Sequence, residues 1–183
     1  MFEEILARIA RRFKEKGLPY MVIGGQAVLL YGEPRLTRDI DITLGIGVDR
    51  LDDVLAAADE LFLKSLLPDA LQFVRRTMVL PVIEQSTGIR VDFIFSFTPY
   101  EADAIKRARK VVVKGEEVAF SSPEDLVIHK IFAGRARDIE DARSIVVRNP
   151  ALDIGYIRGW LKEFEMSAGK PFVHTLDELL KEA

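Results

Sequence analysis

Two aspartates, Asp39 and Asp41, stand two apart in the run Asp39-Ile40-Asp41-Ile42, whose other residues are β-branched. In a strand successive side chains leave opposite faces, so both carboxylates project from one face about 7 Å apart while the isoleucines enter a core. Such a pair is a platform for a hard divalent cation, because Mg²⁺ takes oxygen ligands, usually one or two carboxylates together with substrate phosphates. The chemistry it serves is phosphoryl or nucleotidyl transfer. Arg35, Thr37 and Arg38 precede the acids, so donors for phosphate oxygens accompany the carboxylates. Plain charge pairing with Asp39 and Asp41 accounts for the same cations.

Two further features bear on this chemistry. Gly24-Gly25 follows a short apolar run and precedes a helix, where backbone amides can approach a phosphate; a tight strand-to-helix turn is the plainer explanation. Asp92 lies among Val91, Phe93, Ile94 and Phe95. Its carboxylate either faces a solvated cleft or is buried at considerable cost unless paired or metal-bound.

The elements that must position these residues are legible in the periodicity. Phe2, Ile5, Leu6, Ile9 and Phe13 have helical spacing over residues 2–16, closed by Gly17-Leu18-Pro19, and Tyr20 to Ile23 is a short buried strand. A second helix runs from Gln26 to Tyr31, and Leu36 to Leu44 is the carboxylate-bearing strand. Asp49 is placed to cap a helix over residues 50–64. Residues 77–84 and 89–95 form one predicted hairpin, and residues 111–120, broken at Lys114-Gly115, a second. From Ser122 the character changes: Ser122-Pro123-Glu124-Asp125 opens a helix over 123–133, followed by helices at about 137–147, 153–166 and 175–182. The expected fold is therefore α+β, a mixed β-sheet flanked by helices (residues 1–121) with a helical C-terminal region (residues 122–183) packed on it.

Composition narrows the function classes. The chain has 183 residues, enough for one domain or one with a helical appendage. It has no cysteine, which excludes disulfides, thiolate zinc sites and Cys nucleophiles, and fits a reducing interior. A cytoplasmic location and no membrane association are expected, since the sequence opens without a signal peptide and its apolar runs fall short of a span. The net charge of −3 lacks the basic balance of a dedicated nucleic-acid binder. Local clusters at Arg11, Arg12, Lys14 and Lys16 and at Lys106, Arg107, Arg109 and Lys110 suit solvated helix ends, with an RNA-contacting surface as the alternative. Neither His129 nor His174 has a neighbour at zinc-ligand spacing, and Trp160 belongs to the packing face of a helix with Ile157, Leu161 and Phe164.

The glycine turn, the Arg-x-x-Arg-Asp-x-Asp run and the third strand aspartate, in this order, resemble the polymerase-β-like nucleotidyltransferase superfamily. Gly24-Gly25-Gln26-Ala27 with Gly32-Glu33-Pro34-Arg35-Leu36-Thr37-Arg38-Asp39-Ile40-Asp41 looks closer still to the AbiEii/AbiGii-type toxin nucleotidyltransferases. The resemblance covers roughly residues 18–145. It implies that Asp39 and Asp41 hold two Mg²⁺ ions (or Mn²⁺), that Asp92 holds the ion activating the attacking hydroxyl, and that Gly24-Gly25 receives the triphosphate of an NTP. The segment from Lys130 through Arg135, Arg137 and Asp138 to Asp141 resembles the family's Lys…Arg-x-Arg-Asp-x-x-Asp run. By it, Lys130, Arg137 and Asp138 join the nucleotide site, although the two acids also suit the first turn of a helix.

The expected activity is transfer of a nucleoside monophosphate to an acceptor hydroxyl on an RNA 3′ end or a protein, in a toxin–antitoxin setting with an antitoxin partner. Many superfamily members carry Gly-Ser in the turn, whereas here Gln26 follows Gly25. That departure keeps open a binding module of the same fold without turnover. A small-molecule, antibiotic-type transferase is the third reading, with Glu84 and Glu101 as the acids for a cationic acceptor.

Overall fold

The computed structural model describes residues 1–96 and 98–181. Helix α1 (Phe2–Lys16) carries Glu3 and Glu4 in its first turn and Lys14 and Lys16 in its last, as its dipole favours, and buries Ile5, Leu6, Ile9, Ala10 and Phe13. Strand β1 (Tyr20–Ile23) leads into α2 (Gly24–Tyr31), and β2 (Asp39–Leu44) follows. A short 3₁₀ turn (Val48–Arg50) precedes α3 (Leu51–Glu60), β3 (Leu63–Ser65) and α4 (Ala70–Thr77). The hairpin of β4 (Val79–Glu84) and β5 (Arg90–Phe95) is followed by α5 (Pro99–Arg107) and by a second hairpin, β6 (Arg109–Val113) and β7 (Glu116–Phe120). Helices α6 (Pro123–Ala133), α7 (Ala136–Arg148), α8 (Ile154–Ala168) and α9 (Phe172–Lys181) complete the described residues.

The strands form one mixed seven-stranded sheet in the order β3-β4-β5-β2-β1-β7-β6. Strand β2 lies in its middle, antiparallel to β1 and parallel to β5. Phe13 of α1 anchors the helix to the sheet, with its ring 5.4 Å from Tyr20 and 5.5 Å from Phe93. The α+β class and the helical C-terminal part are as the sequence predicts.

Several boundaries differ, each for a physical reason. The strand expected from Leu36 begins at Asp39, because its ladder with β5 opens at the pair Asp39 and Arg90. The helix expected over 50–64 stops at Glu60: Phe62 takes a left-handed conformation, φ 59°, and Leu63 pairs with Glu84 as the start of β3. Asp49 makes no capping bond to α3, whose N-cap is Arg50. The second helix takes in both glycines, starting at Gly24 rather than Gln26. The last helix starts at Phe172, earlier than Thr175, and residue 182 of its expected span lies outside the described residues.

Contacts divide the chain into two units. One comprises Met1–Gln26 and Leu36–Phe120 and holds the whole sheet; the other comprises Ala27–Arg35 and Ser121–Ala183. In the second, Phe132 packs on Phe164 and Phe172 at centroid distances of 5.3 and 5.4 Å, and Trp160 on Phe164 at 6.2 Å. Among the described residues no helix is long and apolar enough to cross a membrane.

Candidate active site

In the first unit, β2 buries Ile40 and Ile42 completely while Asp39 and Asp41 stay half-buried on the opposite face. Strand β5 runs parallel beside it with Asp92 directly opposite Asp41 and Arg90 opposite Asp39. Residues at the same register of neighbouring strands share a face, so three acids and one arginine form a compact block about 4.8 Å across the strands and 7 Å along them. Val91 and Phe93, which alternate with Arg90 and Asp92, are fully buried on the other side. Parity sets which residues of each strand share a face, and the register of β5 on β2 brings the two pairs together.

Asp92 is not a solitary buried charge. Its Oδ1 accepts a hydrogen bond from Arg90 Nε at 2.7 Å, with the Asp92 side chain 15% exposed and that of Arg90 51%. This bond raises the Arg90 pKa above its ordinary value against the opposing effect of burial, and the charges of Asp92, Asp39 and Asp41 add to it. Thr37 Oγ1 donates to Asp39 Oδ1 at 3.3 Å. Gln26, buried in the first turn of α2, donates through Nε2 to the Asp39 carbonyl at 3.4 Å and so ties the glycine turn to the start of β2. Arg38 is exposed.

Gly24 is where α2 comes nearest to the acids. It adopts φ +62°, and a Cβ placed on it would lie 2.0 Å from Asp41 Oδ2. The bare Cα is thus a requirement of the carboxylate's position, as well as of a left-handed backbone. Gly25 is buried behind it. The N-terminus of α2, the positive end of its dipole, lies beside the Asp41 carboxylate.

In the second unit, Lys130, Arg35 and Arg135 converge on two buried aspartates. Lys130 Nζ lies 2.8 Å from Asp138 Oδ1 and 2.9 Å from Asp141 Oδ2. Arg35 forks onto Asp141 through Nε and Nη2, both at 2.8 Å, and Arg135 Nε reaches Asp138 at 2.9 Å. Burial alone would raise the Asp141 pKa, but the hydrogen bonds and charges of Arg35 and Lys130 outweigh it and hold the carboxyl below its ordinary value. Within this unit the cationic ends of Lys130 and Arg35 are committed to carboxylates, and Arg137 points to an exposed face.

Other sequence features are structural. In the first basic cluster Arg11 pairs with Glu116 at 2.8 Å, and Arg12 and Lys16 with Glu60 at 2.8 and 2.9 Å. Glu84 is buried in the β4–β5 turn, accepting from Ser86 Oγ and from Thr87 N and Oγ1, which holds its pKa down to about 2. Glu101 closes the N-terminus of α5 with Thr98.

Sequence reading singles out the three acids but not Arg90 or the partnership of Gln26 with Asp39. The signal for Arg90 was present: two residues before Asp92 in a strand, it has to share that aspartate's face. The oxygen donors suit a hard divalent ion, and Asp39, Asp41 and Asp92 are the residues that would hold it. Among the described residues, however, no three acidic or histidine side chains are drawn together tightly enough to form a ready-made metal cage. Asp92 is turned to Arg90 instead.

Solved structures similar to this chain include nucleotidyltransferases and a nucleotidyltransferase-like protein. The antibiotic-resistance factor ANT(2'')-Ia superposes with a TM-score of 0.62 at 16% identity, over 90% of this chain and 93% of its own. An antigenic nucleotidyltransferase-like protein from Paracoccidioides brasiliensis gives 0.59 at 16% identity, over 98% and 91%. The lincosamide antibiotic adenylyltransferase LnuA, solved with lincomycin bound, gives 0.52 at 15%, over 78% and 94%. The fold is thus that of the nucleotidyltransferases. Residues 2–168 match a single family model, and the chain belongs to that family, described as "nucleotidyltransferase of unknown function" (DUF6036). A search of curated protein sequences gives no match.

Proposed function

We propose that the chain is a Mg²⁺-dependent nucleotidyltransferase that moves a nucleoside monophosphate from an NTP to an acceptor hydroxyl and releases pyrophosphate. The observation that carries this reading is the register of β2 and β5, which sets Asp92 beside the Asp39/Asp41 pair on one face, next to a helix N-terminus opened by Gly24. Asp39, Asp41 and Asp92 are the metal ligands in this reading. The bound ions would neutralise charge on the phosphates and activate the attacking oxygen. Gly24 and Gly25 offer backbone N–H groups to the triphosphate, and the exposed Arg38 lies close in sequence to serve it. Asp92 orients the acceptor hydroxyl.

The motif from Gly24 to Asp41 supports an RNA 3′ end or a protein as acceptor, a cytoplasmic toxin–antitoxin setting and an antitoxin partner. An antibiotic-type acceptor is less well supported, since Glu84 and Glu101, the acids it would need, are engaged in a turn and a helix cap. Asp41→Asn, checked for an unchanged thermal melt, is expected to abolish transfer of label from α-³²P-NTP to RNA or protein. Equal labelling by variant and wild type would end the proposal. One observation favours a second reading, a nucleotide-binding module without turnover: Gln26 stands where a phosphate-binding serine is expected and turns its amide to the Asp39 carbonyl. Calorimetric binding of NTP, with no pyrophosphate released for any acceptor, would select it.

A further inference from the structure

Four charged side chains occupy one face of β2 and β5, and only one of them is a cation. Asp39 faces Arg90, and Asp41 faces Asp92, across adjacent parallel strands. Like charges directly opposite one another destabilise a sheet, so the row holding Asp41 and Asp92 is unfavourable by itself. Arg90 reaches forward along its own strand to place Nε 2.7 Å from Asp92 Oδ1, although half of its side chain remains in solvent. A guanidinium held on Asp92 Oδ1 takes up one side of that carboxylate and sets a positive charge against any divalent ion that shares it.

We infer that Arg90 is a built-in counter-cation of the acidic face, which competes with divalent metal for Asp92 and thereby sets the metal affinity of the site. The inference rests on the metal-dependent reading above and adds to it a positioning residue. Two consequences follow from the geometry. With Arg90 on Asp92 the cluster carries less uncompensated negative charge, so the sheet tolerates three acids side by side. When a divalent ion takes Asp92, the guanidinium is released toward solvent, where its exposed end can turn to an anionic group of a nucleotide. Metal entry and a change of partner for Arg90 are then one event.

The test is a titration with Mn²⁺, following free ion by electron paramagnetic resonance, on wild type, Arg90→Gln, Arg90→Lys, Asp92→Asn and the Arg90→Gln/Asp92→Asn double variant. Removing one positive charge roughly 6 Å from a divalent ion, screened as in water, is expected to tighten Mn²⁺ binding about tenfold in Arg90→Gln. Arg90→Lys, which keeps the charge, stays within about threefold of wild type on the same scale. In EDTA, Arg90→Gln melts at a lower temperature than wild type, and Mn²⁺ raises its melting point by more. The gain in affinity disappears when Asp92 is already Asn, because the guanidinium then has no carboxylate to hold it beside the ion. Unchanged or weaker Mn²⁺ binding in Arg90→Gln, or a gain that survives in the Asp92→Asn background, overturns the inference while leaving the metal reading intact. If wild type binds no Mn²⁺ that Asp41→Asn removes, the metal reading itself falls, and this inference with it.

Discussion

At Gly24 the backbone and the Asp41 carboxylate contend for the same space. Any side chain there overlaps Asp41 Oδ2, and the φ of +62° penalises an L-residue independently. Gly24→Ala should therefore cost about 1–2 kcal/mol from the left-handed backbone and roughly 1–3 kcal/mol from overpacking. Its effect on function should exceed its effect on stability, because relief of the clash displaces a carboxylate proposed as a metal ligand. Thermal melting beside Mn²⁺ titration checks this: a variant that melts several degrees lower yet binds the ion as wild type does would show that the carboxylate's place is immaterial. At this scale the sequence is legible where residue type and parity coincide. Asp39 and Asp41 share a face, as strand alternation requires, and the register of β5 on β2 adds Asp92 to it. What parity does not reveal is which charges bond to which. Arg90 on Asp92 and Gln26 on the Asp39 carbonyl depend on the distance between strands and the approach of α2.

Elements with long amphipathic repeats, clear caps or bounding glycines were readable, whereas β3, α4 and α5 were not. Helix α1, both hairpins and α6 follow their patterns closely. The three residues of β3 and the eight of α4 are too few for periodicity to declare them, although Asp69 caps α4 by accepting from Gln72 N at 3.0 Å. Helix α5 did carry a start signal, with Thr98 as N-cap and Pro99 in the first turn. Helix α6 supplies the sharper lesson, since Lys130 in a phosphate-binding-like motif sits 9% exposed between two carboxylates of α7. Burial is a tertiary property that a motif does not encode. Lys130→Met should leave Asp138 with the exposed Arg135 and Asp141 with Arg35, and destabilise the second unit by roughly 1–3 kcal/mol. Fluorescence of Trp160, the chain's single tryptophan and a residue of the same unit, reads this directly in a urea titration. A loss under about 1 kcal/mol, the value of an exposed pair, would mean that the network is solvated and Lys130 is available to a ligand.

For the whole molecule, the ionisable groups that folding perturbs define how stability varies with pH. Glu84 is held at about 2 chiefly by the Thr87 hydroxyl, then by Ser86 and the Thr87 N–H, while Asp141 is held low by Arg35 and Lys130 against its burial. Hydrogen bonds from Lys16 and Arg158 hold Glu60 and Asp177 low in the same way. A depressed carboxyl contributes stability that is complete above its unfolded value, near 3.9 for Asp and 4.3 for Glu, and is lost as pH falls through its folded value. The acid limb should accordingly begin below about pH 5. Tyr20 acts in the opposite sense: burial raises its pKa, opposed by the hydrogen bond from Ala119 N–H, so the stability it adds is complete below about pH 10 and lost above it. Urea midpoints measured from pH 2 to 11 should show a plateau between these limbs. Glu84→Gln should lower the plateau and converge on wild type near pH 2, where Glu84 too is losing its charge. Tyr20→Phe should lower the plateau and flatten the alkaline limb only. If the Glu84→Gln deficit were the same at pH 2 as at pH 7, the turn would owe its strength to the shape of that side chain rather than its charge, and the register that brings Asp92 beside Asp41 would not depend on ionisation at all.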